Sequence, residues 1–241
     1  VIQAVFGDAD GGTPENSRVM TSAYSQTTNW QHLVVAWDGS DSSVTTYING
    51  VEDSHSGSAL NGTQILNAEF LRIGVTRKSS QPYWDGLIDD VRVFNRALTA
   101  TEAKALYQVG LTRVNVSDTQ VKDGLVGWWT FDGDTVTDKV YDQSGQDNHA
   151  SFVGGATSSA KVIGKVGQAL TFDGSDDYVD TPLSLGGETE ATISVWFYPV
   201  PNGTTQYLVS TANDRIRFRF SSSNESIYFW FQNPSNSNIC T

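Results

Sequence analysis

Apolar and polar residues alternate with period two along most of this chain. Residues 32–37, 44–48, 70–74 and 88–94 carry the pattern in the first half, and 125–131, 169–172, 191–197, 215–220 and 226–231 carry it in the second. Each run predicts a β-strand. Asp38-Gly39, Asn49-Gly50 and Asp173-Gly174 predict tight turns, because these residue types tolerate positive φ. One short stretch changes period. Residues 98–107 begin with Thr99 and place Glu102 three positions later, the pairing of a capping box. Ala103, Leu106 and Tyr107 supply an apolar side, and Gly110 is expected to stop this helix.

Residues 111–123 read as a linker, with an edge strand possible at 112–116. The segments on either side, 1–110 and 124–241, do not resemble each other, so two copies of one small domain are not expected. Strands broken by Gly, Asn, Asp and Ser turns place the chain among all-β proteins, and 241 residues suffice for one large sandwich.

Charge narrows the partners. A formal charge of -12 and the absence of a Lys/Arg cluster argue against a nucleic-acid backbone. An acidic surface serves solubility, and some Asp side chains could also gather a cation. No apolar run approaches the ~20 residues of a membrane-spanning helix, so membrane insertion is not expected. Cys240 is the only cysteine, which removes an internal disulfide framework and leaves an incidental thiol. A start at Val1 without Met suggests a processed or excised piece. Asn61, Asn115, Asn202 and Asn224 stand in sequons that permit glycosylation.

Certain motifs stand out in combination. Trp129 to Asp132, Asp142 to Gly145, Ala169 to Gly174 and Ser194 to Phe197 form one set; Trp30 to Leu33, Tyr47 to Gly50, Gly86 to Phe94 and Asn95 to Glu102 form another. Together they resemble the laminin G-like, concanavalin A-like jelly roll of secreted bacterial and archaeal proteins. The resemblance implies a two-sheet antiparallel jelly-roll sandwich with one short helix, in an extracellular or cell-surface setting. It covers nearly the whole chain, but the order is reversed. Residues 124–241 hold the motifs that open such a domain, and 1–110 hold those that close it.

Three routes account for that order. The chain could be a circular permutant, its usual ends joined by residues 111–123, which is tolerated where ends are near and exposed. The halves could pair between neighbouring chains and build a ring or filament. A fragment cut across two tandem domains is the third. Closure within one chain is the expectation, since half a sandwich leaves its edges and inner face uncovered.

Asp132, Asp134, Asp138, Asp142, Asp147 and Asn148 crowd one loop. Hard cations such as Ca²⁺ take six to eight oxygens, commonly from such loops. The resemblance implies a structural Ca²⁺ held by Asp89 with Asp132, Asp142 and carbonyls near Asn148. The competing account is that these Asp residues cap turns with their own backbone. Alternation puts Asp89 and Asp90 on opposite faces, so one of them at most reaches the ion. Asp173, Asp176 and Asp177 read as a turn, with a second ion a weaker option.

Catalysis is not expected. No Glu lies in the Glu-x-Asp-x-x-Glu arrangement of glycosidases on this fold, and no strained Gly-x-Ser-x-Gly turn is present. His32, His55 and His149 are scattered, and His32 reads as a packing residue. Sugar binding is the stronger reading: Trp84 and Tyr83 in a loop, Arg77 near them, and Tyr228 and Trp230 on a strand could face a glycan, with Tyr24 and Tyr207 as further rim candidates. The alternative is that large aromatics fill the core. Two functions follow: a non-catalytic recognition or adhesion module for a glycan, matrix or cell-surface protein, or a structural subunit of an extracellular filament that self-associates through complementing halves.

Overall fold

The computed structural model describes residues 18–20, 29–41, 43–53, 69–76, 83–112, 121–155, 157, 160–212, 216–221 and 226–231. Two antiparallel sheets face each other. The first holds β1 (Arg18–Met20), β5 (Phe70–Ile73), β8 (Ser151–Val153), β11 (Tyr178–Ser184), β13 (Thr205–Thr211), β14 (Ile216–Ser221) and β15 (Ser226–Phe231). Their order is β1-β15-β14-β13-β5-β11-β8. The second sheet holds β2 (Gln31–Asp38), β3 (Ser43–Ile48), β4 (Val51–Asp53), β6 (Asp85–Phe94), β7 (Leu125–Trp129), β9 (Lys161–Ile163), β10 (Gln168–Asp173) and β12 (Glu190–Pro199). Its order is β4-β3-β2-β12-β6-β10-β9, with β7 beside β6. This is the antiparallel sandwich the alternation called for.

Strands from the two sequence halves interleave in both sheets. β12 runs between β2 and β6, with Val195 opposite Leu33 and Phe197 opposite Ile88. β5 lies between β11 and β13 in the other sheet. The core between the sheets draws on both halves, including Leu33, Ile73, Ile88, Val195 and Phe218. Burying each such side chain contributes about 1.5–3 kcal/mol relative to leaving it in water.

The outer face of the second sheet is covered by α1 (Ala100–Thr112), which explains why β2 is buried on both of its faces. Ala103 meets Val34 and Tyr47, while Leu106 joins Phe94, Leu98 and Leu125. The capping box forms as expected. The Glu102 amide donates to Thr99 Oγ1 (3.3 Å), and Thr99 N–H donates to Glu102 Oε2 (2.9 Å). Arg96 grips the same carboxylate, and with Thr99 holds Glu102 down at about 2. The expected stop at Gly110 is corrected: the helix runs on to Thr112. Gly110 serves packing instead, because a Cβ there would come within 2.5 Å of Trp196 Cε2.

Candidate functional site

Asp89 and Asp90 sit where β6 breaks step. Ser194 opposes Arg92, yet Trp196 opposes Asp89, so β6 carries one extra residue, and Asp90 takes φ 47°. The bulge cancels strict alternation, and both carboxylates are buried. Asp90 Oδ1 accepts from Arg92 Nε (3.1 Å) and from the Trp128 indole (2.7 Å). Arg92 also stacks on the Trp128 ring, 4.3 Å from its centroid.

Asp89 points to the turn between β9 and β10. Its Oδ2 accepts the Lys165 and Val166 amides, each at 2.8 Å, while its Oδ1 is buried without a hydrogen-bond partner. Burial, with the nearby Asp90 charge, pushes this acid up to about 9. Asp132 reaches the same turn from the other side. Its Oδ1 accepts the Gln168 amide at 2.6 Å, and a Cβ on Gly167 would collide with it. Burial raises Asp132 as well, assisted by Asp90.

Asp142 and Asn148 are committed differently. Asp142 Oδ1 accepts the Trp128 and Ser144 amides at 2.8 Å each, and Oδ2 accepts Ser144 Oγ (2.7 Å) and the Asn148 amide (2.9 Å). Four donors occupy that carboxylate, which ties the 142–148 loop to β7. Asn148 donates through Nδ2 to the Val126 carbonyl, and its own carbonyl accepts the Trp129 indole. The four residues expected around one cation therefore divide into two pairs with different partners. Asp89, buried with a partnerless Oδ1, and half-buried Asp132 meet at the β9–β10 turn, whereas Asp142 serves as a loop knot.

The aromatic candidates also separate. Trp84 is 0% exposed, edge-on to Phe197 and Phe220, so its ring offers no face to a sugar. Its backbone explains this: Trp84 N–H donates to the Gly74 carbonyl, and the Trp84 carbonyl accepts from Gly174. That double tie turns the ring into the core. Tyr207 is buried too. Tyr83 is half-buried beside Tyr178, with centroids 6.4 Å apart. Tyr228 and Trp230 take backbone positions on β15 that alternate with buried Ile227 and Phe229, opposite Arg219 and Arg217 of β14. Arg77 and Tyr24 lie outside the described residues.

Three residues near Tyr83 escaped the sequence reading. Arg72 Nε donates to Asp180 Oδ1 at 3.1 Å, and its guanidinium lies 5.4 Å from the Tyr178 ring centroid. In β5 and β11 these polar positions alternate with buried Leu71, Ile73, Val179 and Thr181, so they belong to the outer face of the seven-stranded sheet. The alternation over 70–74 was visible beforehand, but β11 was not among the expected strands, and nothing in one sequence told which two strands would be neighbours.

His32 is a packing residue, as expected. It is buried between Tyr107 and Trp196, its Nε2 lies 2.9 Å from Ser194 Oγ, and burial lowers it to about 3.

Residues 4–104 match the family model described as the concanavalin A-like lectin/glucanases superfamily, of the laminin G type. No curated protein and no solved structure gives a match. The matched stretch supplies β1 to β6 and the first turn of α1, elements distributed through both sheets. The matched stretch is thus similar to the laminin G-like, concanavalin A-like family, and the described strands form a two-sheet antiparallel sandwich.

Proposed function

We propose that this domain is a non-catalytic recognition or adhesion module of the cell surface or extracellular space, binding a glycan or a matrix or cell-surface protein. The observation that carries this reading is the patch on the outer face of the seven-stranded sheet, where Tyr83 and Tyr178 lie beside the Arg72–Asp180 pair. Aromatic rings accept the C–H faces of a sugar, and a fixed pair of donor and acceptor groups orients its hydroxyls. The two side chains of the ion pair are 24% and 34% exposed, enough to be reached from solvent.

Binding without turnover is favoured by how the carboxylates are used. Glu102 is engaged by Arg96 and Thr99, and Glu190 accepts the Ala97 amide at 3.0 Å. Hydrolysis needs two carboxyl groups set apart across a glycosidic bond. In this reading Asp89 and Asp132 would also hold a structural Ca²⁺ at the β9–β10 turn, where the partnerless Asp89 Oδ1 gains a partner. Such an ion would supply rigidity alone.

The test uses the full chain on a glycan and matrix-protein array, followed by calorimetry on the strongest hit. Tyr178→Ala and Arg72→Ala should each weaken binding at least about tenfold, with thermal unfolding changed by only a few degrees. A chain that binds nothing on the array, or variants that bind as the parent does, would overturn the assignment.

A second reading, compatible with the same strand pairings, is a filament subunit. The pairs that build both sheets join residues 31–94 to residues 125–231, so a neighbour could supply the same partners.

A further inference from the structure

The turn between β10 and β11 brings together three carboxylates that the reading above does not use. Asp173, Asp176 and Asp177 each offer an oxygen, and the three oxygens lie within 4.8 Å of one another; among the described residues no other group of three or more such ligands does this. Asp173 and Asp176 face solvent, whereas Asp177 is only 6% exposed. Asp177 Oδ2 accepts the Asp173 amide at 3.2 Å, but its Oδ1 is fully buried with no hydrogen-bond partner. A buried carboxylate oxygen left without a donor is costly unless something outside the chain meets it.

The opposite wall is glycine. Gly154 and Gly155 follow β8, and Gly155 N–H donates to Asp176 Oδ1 at 3.2 Å. A Cβ at Gly155 would stand 3.0 Å from Asp177 Oδ1 and 3.6 Å from Asp176 Oδ1, so these two oxygens converge on one bare backbone surface. A Cβ at Gly154 would run into the Asp176 carbonyl. No Lys or Arg is paired with the three acids among the described residues. Among the described residues no cationic side chain offsets the repulsion within the cluster; burial first, then the Asp173 charge, holds Asp177 above the ordinary carboxylate range despite the Asp173 and Gly155 amides.

We propose that Asp173, Asp176 and Asp177 bind a hard divalent cation, Ca²⁺ by preference, with the Asp177 Oδ1 as the inner ligand and the two exposed carboxylates closing over it. Three carboxylates on a loop, with water filling the remaining positions, match the oxygen demand and flexible geometry of Ca²⁺ better than the strict octahedron of Mg²⁺. An open site of this kind belongs in the weak range, on the order of 10⁻⁴–10⁻³ M. It is separate from the Asp89–Asp132 turn, which contacts the chain at Lys165, Val166 and Gln168.

Calcium titration by calorimetry on the metal-stripped full chain decides the matter, with Asp176→Asn, Asp177→Asn and Asp89→Asn as comparisons. Asp176 is exposed, so its variant should keep the native circular dichroism spectrum even if Asp177→Asn does not. The expected result is a sub-millimolar to millimolar Ca²⁺ event in the parent chain that Asp176→Asn weakens at least tenfold and Asp89→Asn leaves in place. Absence of any Ca²⁺ event in the parent chain up to about 10 mM, or of any event that Asp176→Asn weakens, would overturn the proposal. An event removed by Asp89→Asn alone would assign the ion to the other turn and sink this site.

Discussion

At the scale of single residues, two amino acids do work that their types do not announce. Gly110 stands inside a helix, where Ala would ordinarily gain about 1 kcal/mol. Here the missing side chain makes room for the Trp196 indole, whose ring atoms leave no space for a methyl group. Overpacking of that kind costs about 1–3 kcal/mol and outweighs the propensity gain. Gly110→Ala should therefore lower the thermal midpoint; an unchanged or higher midpoint would show that the helix slides away without cost. Trp84 is the other case. Beside Pro82 and Tyr83, ahead of a strand, it looked like a loop aromatic for ligand contact. Its burial depends on backbone ties to Gly74 and Gly174, pairings about ten residues one way and ninety the other, which no local pattern encodes.

The elements were more legible than their interruptions. Alternation located β2, β6 and β12 but passed over β11 and β13, and Thr99 with Glu102 located the helix start because that signal is local and strong. The bulge at Asp90 left no trace in the pattern, since a one-residue insertion is set by the partner strand β12. That single break decides where Asp89 and Asp90 go, and so the place of one of the four residues expected around the cation. The helix-on-sheet layer has its own measurable signature. His32 lies under α1 with Tyr107 and Trp196, near the Arg92 charge, while the Lys165 ammonium sits over the Trp196 ring. Its ordinary value of 6.5 falls to about 3 in the fold. Between those values the unfolded chain binds the proton and the folded chain does not, so stability drops as pH falls from 6.5 toward 3 and is fully restored above 6.5. The loss amounts to a few kcal/mol. Denaturant titrations across that range should show the decline in the parent chain and a shallower one in His32→Gln.

For the molecule as a whole, the reversed motif order poses a question of partnership. Val195 meets Leu33 and Ile73 meets Val209 across the two sequence halves, and those pairs can form within one chain or between two. We propose closure within one chain. Light scattering after size exclusion at micromolar protein should then report a compact monomer with one cooperative melt. A polymer that persists on dilution, and unfolds when separated, would instead establish the exchanged filament. Family resemblance was readable from motifs such as residues 86–94, and the fold with it. The Arg72, Tyr178 and Asp180 patch was not, because it exists only once β5 and β11 become neighbours.

The pairing of β1 with β15 has a mechanical consequence. Arg18, where β1 begins, lies opposite Trp230, one residue before β15 ends, and the two strands run antiparallel at the margin of the seven-stranded sheet. Tension applied through the flanking chain at these two points pulls on the same corner. It opens the ladder one rung at a time, Arg18 from Trp230 first and Met20 from Tyr228 last, without loading all rungs together. The strand pairs around β12 stay outside that line of force. Under load, this domain is expected to yield first at that three-residue zipper.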